Sequence, residues 1–215
     1  MIIVTAASHA ECIWIPRLPG VRRVVTGMGE NAGRSLARFI GAHDKPSVIV
    51  STGFCGGLAG DIAAGTIIIG QEIDFEGVQI AVDPSLVSNA QNALGAAQLL
   101  FRVGRIVTTK SVIRSPREKE RLSRSGAIAV DMESAVLARV ARDAGTWFLP
   151  LRVVLDVRDR RLQFTGDHLD ALRAIAHPIS TLRLLLTLII AGRTIGRAIT
   201  AIATEPALRR GECAA

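Results

Sequence analysis

Ser47-Val-Ile-Val-Ser-Thr52 runs directly into Gly53-Phe-Cys-Gly-Gly57. Three successive β-branched residues with no charge among them suit a strand buried on both faces. The glycines behind them predict a tight turn. The same figure recurs on either side. Residues 2–7 read as a buried strand, and residues 21–26 as a second that ends in Gly27-Met28-Gly29. Strands are also predicted at 66–73, 104–109, 127–130 and 147–155, the last ending at Asp156, with a small hairpin arm over 75–82. Helical spacing fills the gaps: 31–42 through Ala32, Leu36 and Ile40, an alanine-rich stretch at 84–101, a short charged helix at 116–123, and 132–144 through Met132, Val136 and Val140. This alternation predicts an α/β fold, a three-layer α/β/α sandwich with a mixed, mainly parallel central sheet. From Asp167 the pattern turns helical, with one segment at 169–177 stopped by Pro178 and another at 181–203. The last nine residues read as frayed. The expected division is therefore an α/β domain over 1–178 and an apolar, basic helical extension over 179–215.

With 215 residues, 49% of them apolar and 21% charged, the chain can build its own core and is not a disordered polymer. The net charge is +7, carried by 23 arginines and only three lysines spread along the chain. No tyrosine and few aromatic residues leave little to stack bases on, so nucleic acid is not an expected partner. Three cysteines without a CxxC pair match neither a disulfide framework nor a metal site. An odd cysteine count and an N-terminus that reads as a strand fit a reducing cytoplasm.

Ligands of open α/β sheets bind at the carboxyl ends of strands. Glu11, Asp131-Met132-Glu133 and Asp156 all follow predicted strands closely. One acid there is an ordinary helix cap, whereas three converging on one rim suit acid–base chemistry. Thr26-Gly-Met-Gly29 lacks the third glycine of a dinucleotide fingerprint, so no NAD or FAD is expected. No cofactor and no metal are implied.

Taken in order, Ala7-Ser-His-Ala-Glu11, Thr26-Gly-Met-Gly29, Val48 to Leu58, Val130-Asp-Met-Glu-Ser134 and Leu151-Arg-Val-Val-Leu-Asp156 resemble the nucleoside phosphorylase and nucleosidase superfamily, which includes the methylthioadenosine/S-adenosylhomocysteine nucleosidases. The resemblance spans about residues 1–165. It implies cleavage of a C–N glycosidic bond through an oxocarbenium-like sugar. Asp156 is then the acid at N7 of the purine, Glu133 grips the ribose hydroxyls with Met132 against the sugar, and Glu11 activates water. Val112 and Ile113 fall on the base-pocket wall, and Gly27, Ser51, Gly53 and Phe54 on the substrate loops. Phosphorylases of this group hold phosphate with an arginine and a serine on the glycine-rich strand end, where this chain has Ser51 and Phe54. Water is the expected nucleophile, with phosphate as the alternative and Arg22, Arg23 or Lys110 as its first candidate ligands. His9 has no partner readable in the sequence.

Thr181 to Ala203 is long and apolar, with arginines at 183, 193 and 197. Together with Asp156-Val-Arg-Asp-Arg-Arg-Leu162, this tail is similar to the hopanoid-associated phosphorylase subgroup. That similarity implies release of adenine from adenosylhopane, with residues 181–203 making peripheral contact at the inner membrane surface. Methylthioadenosine, S-adenosylhomocysteine and futalosine are the other substrates to weigh. The tail also fits a core helix or the contact of a homodimer. A nucleoside-binding, membrane-associated protein without catalysis is the competing class, as is an unrelated Rossmann-type protein.

Overall fold

The β-branched run at 48–50 does begin a strand, but the glycines behind it do not end it. In a computed structural model of the chain, which describes residues 1–158 and 178–210, the strand β3 runs unbroken over Val48–Gly57. The other strands are β1 (Ile2–Ala6), β2 (Val21–Val25), β4 (Ile67–Phe75), β5 (Val78–Ala81), β6 (Phe101–Thr108), β7 (Ala127–Asp131) and β8 (Trp147–Asp156). The helices are α1 (His9–Cys12), α2 (Glu30–Gly41), α3 (Pro84–Ala96), α4 (Pro116–Ser123), α5 (Ser134–Asp143), α6 (Pro178–Thr204) and α7 (Pro206–Arg210). The segment expected at 169–177 lies outside the described residues. Residues 207–210, expected to fray, belong to α7, and Leu208 is fully buried.

All eight strands belong to one mixed sheet. β1 pairs in parallel with β2 and β3, and β3 in parallel with β8. The sheet then turns back on itself. β8 pairs antiparallel with β4, β4 parallel with β6, β6 parallel with β7, and β7 antiparallel with the end of β3. Those five strands form a closed circuit. Cys55, Ile68, Ile106, Ala129 and Val154, one from each strand, pack together in one cluster.

Closure explains the glycines. A Cβ on Gly56 would stand 3.0 Å from a Val130 methyl, and one on Gly57 would stand 3.2 Å from Val154. The missing side chains let β3 carry a strand on both edges where the circuit shuts.

Two apolar layers cover the sheet. α2 and α5 meet over Ile3, Ile49, Leu36 and Leu137. On the other side lie α3, α6 and α7, around Ile69, Leu86, Leu149, Ile195 and Leu208. The second half of α6 is part of this core, because Ala191, Ile195, Ala198, Ile199 and Ile202 are all buried. The peripheral contact expected of 181–203 therefore does not extend to Ile195, Ile199 and Ile202, which face the core. The exposed residues are instead Leu182, Leu185, Leu186, Ile189 and Ile190, in the first half.

Candidate active site

Ile2–Ala6 is wholly buried, and the chain leaves this strand at Ala7-Ser8. The Ser8 hydroxyl caps α1 by accepting the Glu11 amide, and this single turn brings the Glu11 carboxylate back over the strand end. Glu11 Oε2 accepts the Ala7 N–H at 2.8 Å, and Oε1 accepts the Phe54 N–H of β3 at 3.2 Å. Gly53 has φ +150°, and a Cβ there would stand 3.1 Å from Glu11 Oε1 and 3.2 Å from Arg152 Nη1, so glycine alone fits between them.

β7 delivers two more acids. Asp131 is its last residue and Glu133 occupies the N-cap position of α5. Glu133 Oε1 accepts the Gly29 N–H at 3.4 Å. Burial pushes the Glu133 carboxyl up to about 7, against the pull of Arg152 and with Asp131 and Glu11 pushing the same way. Asp131 faces downward into a buried network. It accepts from Thr108 Oγ1 at 2.8 Å, from Arg152 Nε at 2.7 Å and from the Ser134 amide at 3.1 Å. Arg152 also donates to Ser51 Oγ at 2.9 Å and Ser134 Oγ at 3.0 Å. Burial alone would depress the Arg152 pKa, but Asp131 and Glu133 raise it, so the cation is locked in.

β8 ends at the fourth acid of the cleft, Asp156. Its carboxylate is ion-paired to Lys119 of α4, whose side chain is fully buried. Burial raises the Asp156 pKa, and Lys119 only partly opposes this. The Cys55 thiol is pushed far up by burial and stays neutral, which removes it as a nucleophile.

These strand ends line an open cleft of about 170 Å³. Glu11, Glu133 and Asp156 line it together, with Met132, Phe54, Val112 and Ile113 on its walls, as do Met28, Cys55, Thr109 and Leu155. Among the described residues that line it there are four acids, Asp131 included, and no lysine or arginine.

Three of the residues expected at the substrate do not line the cleft. The Ser51 hydroxyl is buried beneath the floor as a partner of Arg152. Gly27 and Gly53 shape the loops without lining the cleft. Gly27, at φ +83°, turns the chain after β2 so that Met28 reaches the cleft instead. Nor do the candidate phosphate ligands reach it. Lys110 pairs with Glu76, Arg23 donates to the Ile15 carbonyl at 3.0 Å, and Arg22 is exposed on β2.

Residues 4–187 match the family model described as the phosphorylase superfamily. The chain belongs to that superfamily of enzymes. Its fold is that of solved nucleosidases. The methylthioadenosine/S-adenosylhomocysteine nucleosidase of Helicobacter pylori superposes with TM-score 0.74 at 16% identity, over 93% of this chain and 96% of that one. Futalosine hydrolase of the same organism gives 0.74 at 16% identity, over 93% and 95%. The Neisseria meningitidis nucleosidase, solved with methylthio-immucillin-A, gives 0.72 at 19% identity, over 93% and 98%.

Two residues that hold the site have no role assigned from the sequence, although Arg152 stands in the motif that ends at Asp156. Arg152 carried its own signal, since a lone cation inside Phe-Leu-Pro-Leu-Arg-Val-Val-Leu must be buried and therefore paired. Lys119 carried none. It sits in Pro-Arg-Glu-Lys-Glu-Arg, a run that reads as a solvated face.

Proposed function

We propose that this protein hydrolyses the N-glycosidic bond of a purine nucleoside and releases adenine. The observation that carries the reading is the cleft, into which three separate elements bring Glu11, Glu133 and Asp156 while no basic side chain among its described lining awaits a phosphate.

A purine leaves readily only when N7 is protonated. Asp156, whose burial favours its acid form, supplies that proton. As the C–N bond lengthens, positive charge grows on the sugar. Glu133 accepts from the ribose hydroxyls and stabilises that charge more in the transition state than in the ground state. Glu11 takes the proton from the water that attacks the anomeric carbon. Its carboxylate already occupies the Ala7 and Phe54 amides, the donors an incoming anion would need, so phosphate meets negative charge there. Met132 and Phe54 pack the sugar and base.

Within that reading, we propose a lipid-linked adenine nucleoside of the adenosylhopane type as the substrate. Phe54 and Leu155, on the cleft wall, also pack against the apolar cluster that holds Ala191 and Ile195 of α6, so an apolar 5′ substituent leaving the cleft on that side meets apolar surface. The exposed residues Leu182, Leu185, Leu186, Ile189 and Ile190 fit a peripheral contact with the inner membrane surface. A homodimer through the same face is the reading to separate from it.

The test is adenine release from adenosylhopane, methylthioadenosine, S-adenosylhomocysteine and futalosine, each with and without phosphate. The expected product is a free sugar, formed at a rate independent of phosphate. Asp156→Asn should cost about 10²–10⁴-fold in rate. A sugar 1-phosphate product would overturn the assignment of water, and near-native turnover by Asp156→Asn would overturn the assignment of the acid.

A further inference from the structure

Lys119 is a lysine with no exposed side-chain surface, and it does not line the cleft. It approaches Asp156 from α4 behind the cleft wall, with its Cε 3.7 Å from where a Cβ on Gly56 would stand. Its ammonium donates to Asp156 Oδ2 and, at 2.9 Å, to the Val157 carbonyl just beyond β8. Asp156 Oδ1 lies beside Gly56, which does line the cleft. Burying an ammonium is costly unless it is paired and hydrogen-bonded. α4 is built to hold this one in place. The Ser115–Glu118 capping box fixes its first turn, Pro116 stands at its start, and the Lys119 amide closes that turn onto the Ser115 carbonyl at 3.1 Å.

We propose that Lys119 is a positioning residue for proton transfer to the leaving purine, clamping the rear oxygen of Asp156 and stabilising the carboxylate that forms when Asp156 gives up its proton. The inference rests on the assignment of Asp156 as the N7 acid. In the step, the Asp156 O–H bond breaks and an N7–H bond forms. The glycosidic C–N bond then breaks, its electron pair staying with the purine, and water adds to the sugar while Glu11 takes its proton. Solvent later reprotonates Asp156 and deprotonates Glu11. Without a cation behind it, the new carboxylate would stand buried and uncompensated.

Among the described residues, the other titratable groups around Asp156 do not replace Lys119. Cys55 of β3 is neutral, and Glu11, Asp131 and Glu133 are acids. The Arg158 guanidinium lies at Gly60, where a Cβ would stand 3.0 Å from it. Among the described residues, Lys119 is therefore the cation that acts on the acidity of Asp156. Its charge favours the carboxylate, so removing it must raise the pH at which Asp156 loses its proton.

The experiment compares pH profiles of kcat/KM for the wild-type protein, Lys119→Met and Lys119→Gln, each checked for folding by thermal melting. Removing the cation should carry the alkaline limb upward by about one to three pH units. The maximal rate should fall by roughly tenfold or more. A uniform loss of rate with the limb unmoved would mean that Lys119 only fills space, and would overturn the proposal. If neither variant folds, a ¹³C titration of the Asp156 carboxyl in the wild-type protein takes over. It must give a transition at the pH of the alkaline limb, and a mismatch overturns the proposal equally. Asp156→Asn separates the two claims. If it retains activity, the assignment of the acid fails; if it is inactive while the Lys119 limb stays put, only the role of Lys119 fails.

Discussion

The role proposed for Glu133 calls for an anion in a place that resists charge. Burial, Asp131 and Glu11 hold its proton on up to about 7, while Arg152 and the Gly29 amide pull the other way. The folded-state pKa is thus raised above the ordinary value. That contribution favours the fold below about 4.5 and is lost as the pH rises through about 7. At pH 8 an ionised Glu133 costs the fold up to roughly 3 kcal/mol. Glu133→Gln should therefore melt higher than wild type at pH 8, the gain should vanish at pH 4, and cleavage at pH 8 should fall by about tenfold or more. Melting curves at both pH values check this, and equal melting at pH 8 would show that Glu133 ionises there without cost. This residue, like Glu11 and Asp156, was legible because it follows an apolar strand. Ser51 was misplaced because alternation along a strand cannot say which face meets a cleft and which meets a buried arginine. Lys119 was invisible because its burial comes from where α4 lands on β8, a contact 37 residues away in sequence.

At the level of elements, the strands were readable wherever β-branched runs lacked charge. Their closure was not. Whether Gly53 to Gly57 turns or continues depends on Val130 and Val154 arriving at either edge, and no local signal reports that. Helix α6 makes the same point. Its composition is apolar throughout, and only its neighbours decide which half enters the core. Gly192 and Gly196 let it settle onto Trp14. A Cβ on Gly192 would stand 2.3 Å from the Trp14 ring, and one on Gly196 would stand 2.8 Å from the Trp14 carbonyl. Helix propensity alone would make Gly192→Ala stabilising by about 1 kcal/mol. The clash reverses the sign, and a net loss of about 1–3 kcal/mol is expected in urea unfolding. In the Trp14→Leu background the loss should shrink or change sign, because the ring it collides with is gone. An equal loss in both backgrounds would show that the contact does not govern how α6 docks.

For the whole molecule, the exposed face of α6 changes character along its length. Leu182, Leu185, Leu186, Ile189 and Ile190 share one stripe by their spacing, and Arg193, Arg197, Thr200 and Thr204 continue it. The opposite side, from Ala191 to Ile202, is core. The stretch Leu185–Thr204 is long and apolar enough to cross a bilayer, yet its second half already packs against the sheet. An apolar stripe beside exposed arginines, on a chain of net charge +7, fits shallow insertion among anionic headgroups. Deleting the helix would not test this, since the deletion removes Ile195, Ile199 and Ile202 from the core and the protein would unfold. The test is a triple substitution, Leu185→Ser, Leu186→Ser and Ile189→Ser, at residues that are 52%, 52% and 40% exposed. The wild-type protein should float with phosphatidylglycerol vesicles, less so as salt rises. The variant should stay in solution while melting near the wild-type temperature and cleaving a soluble nucleoside at the wild-type rate. If instead the wild-type protein ignores vesicles, and the substitutions turn a dimer into a monomer in sedimentation, the stripe is a subunit contact and the membrane reading falls.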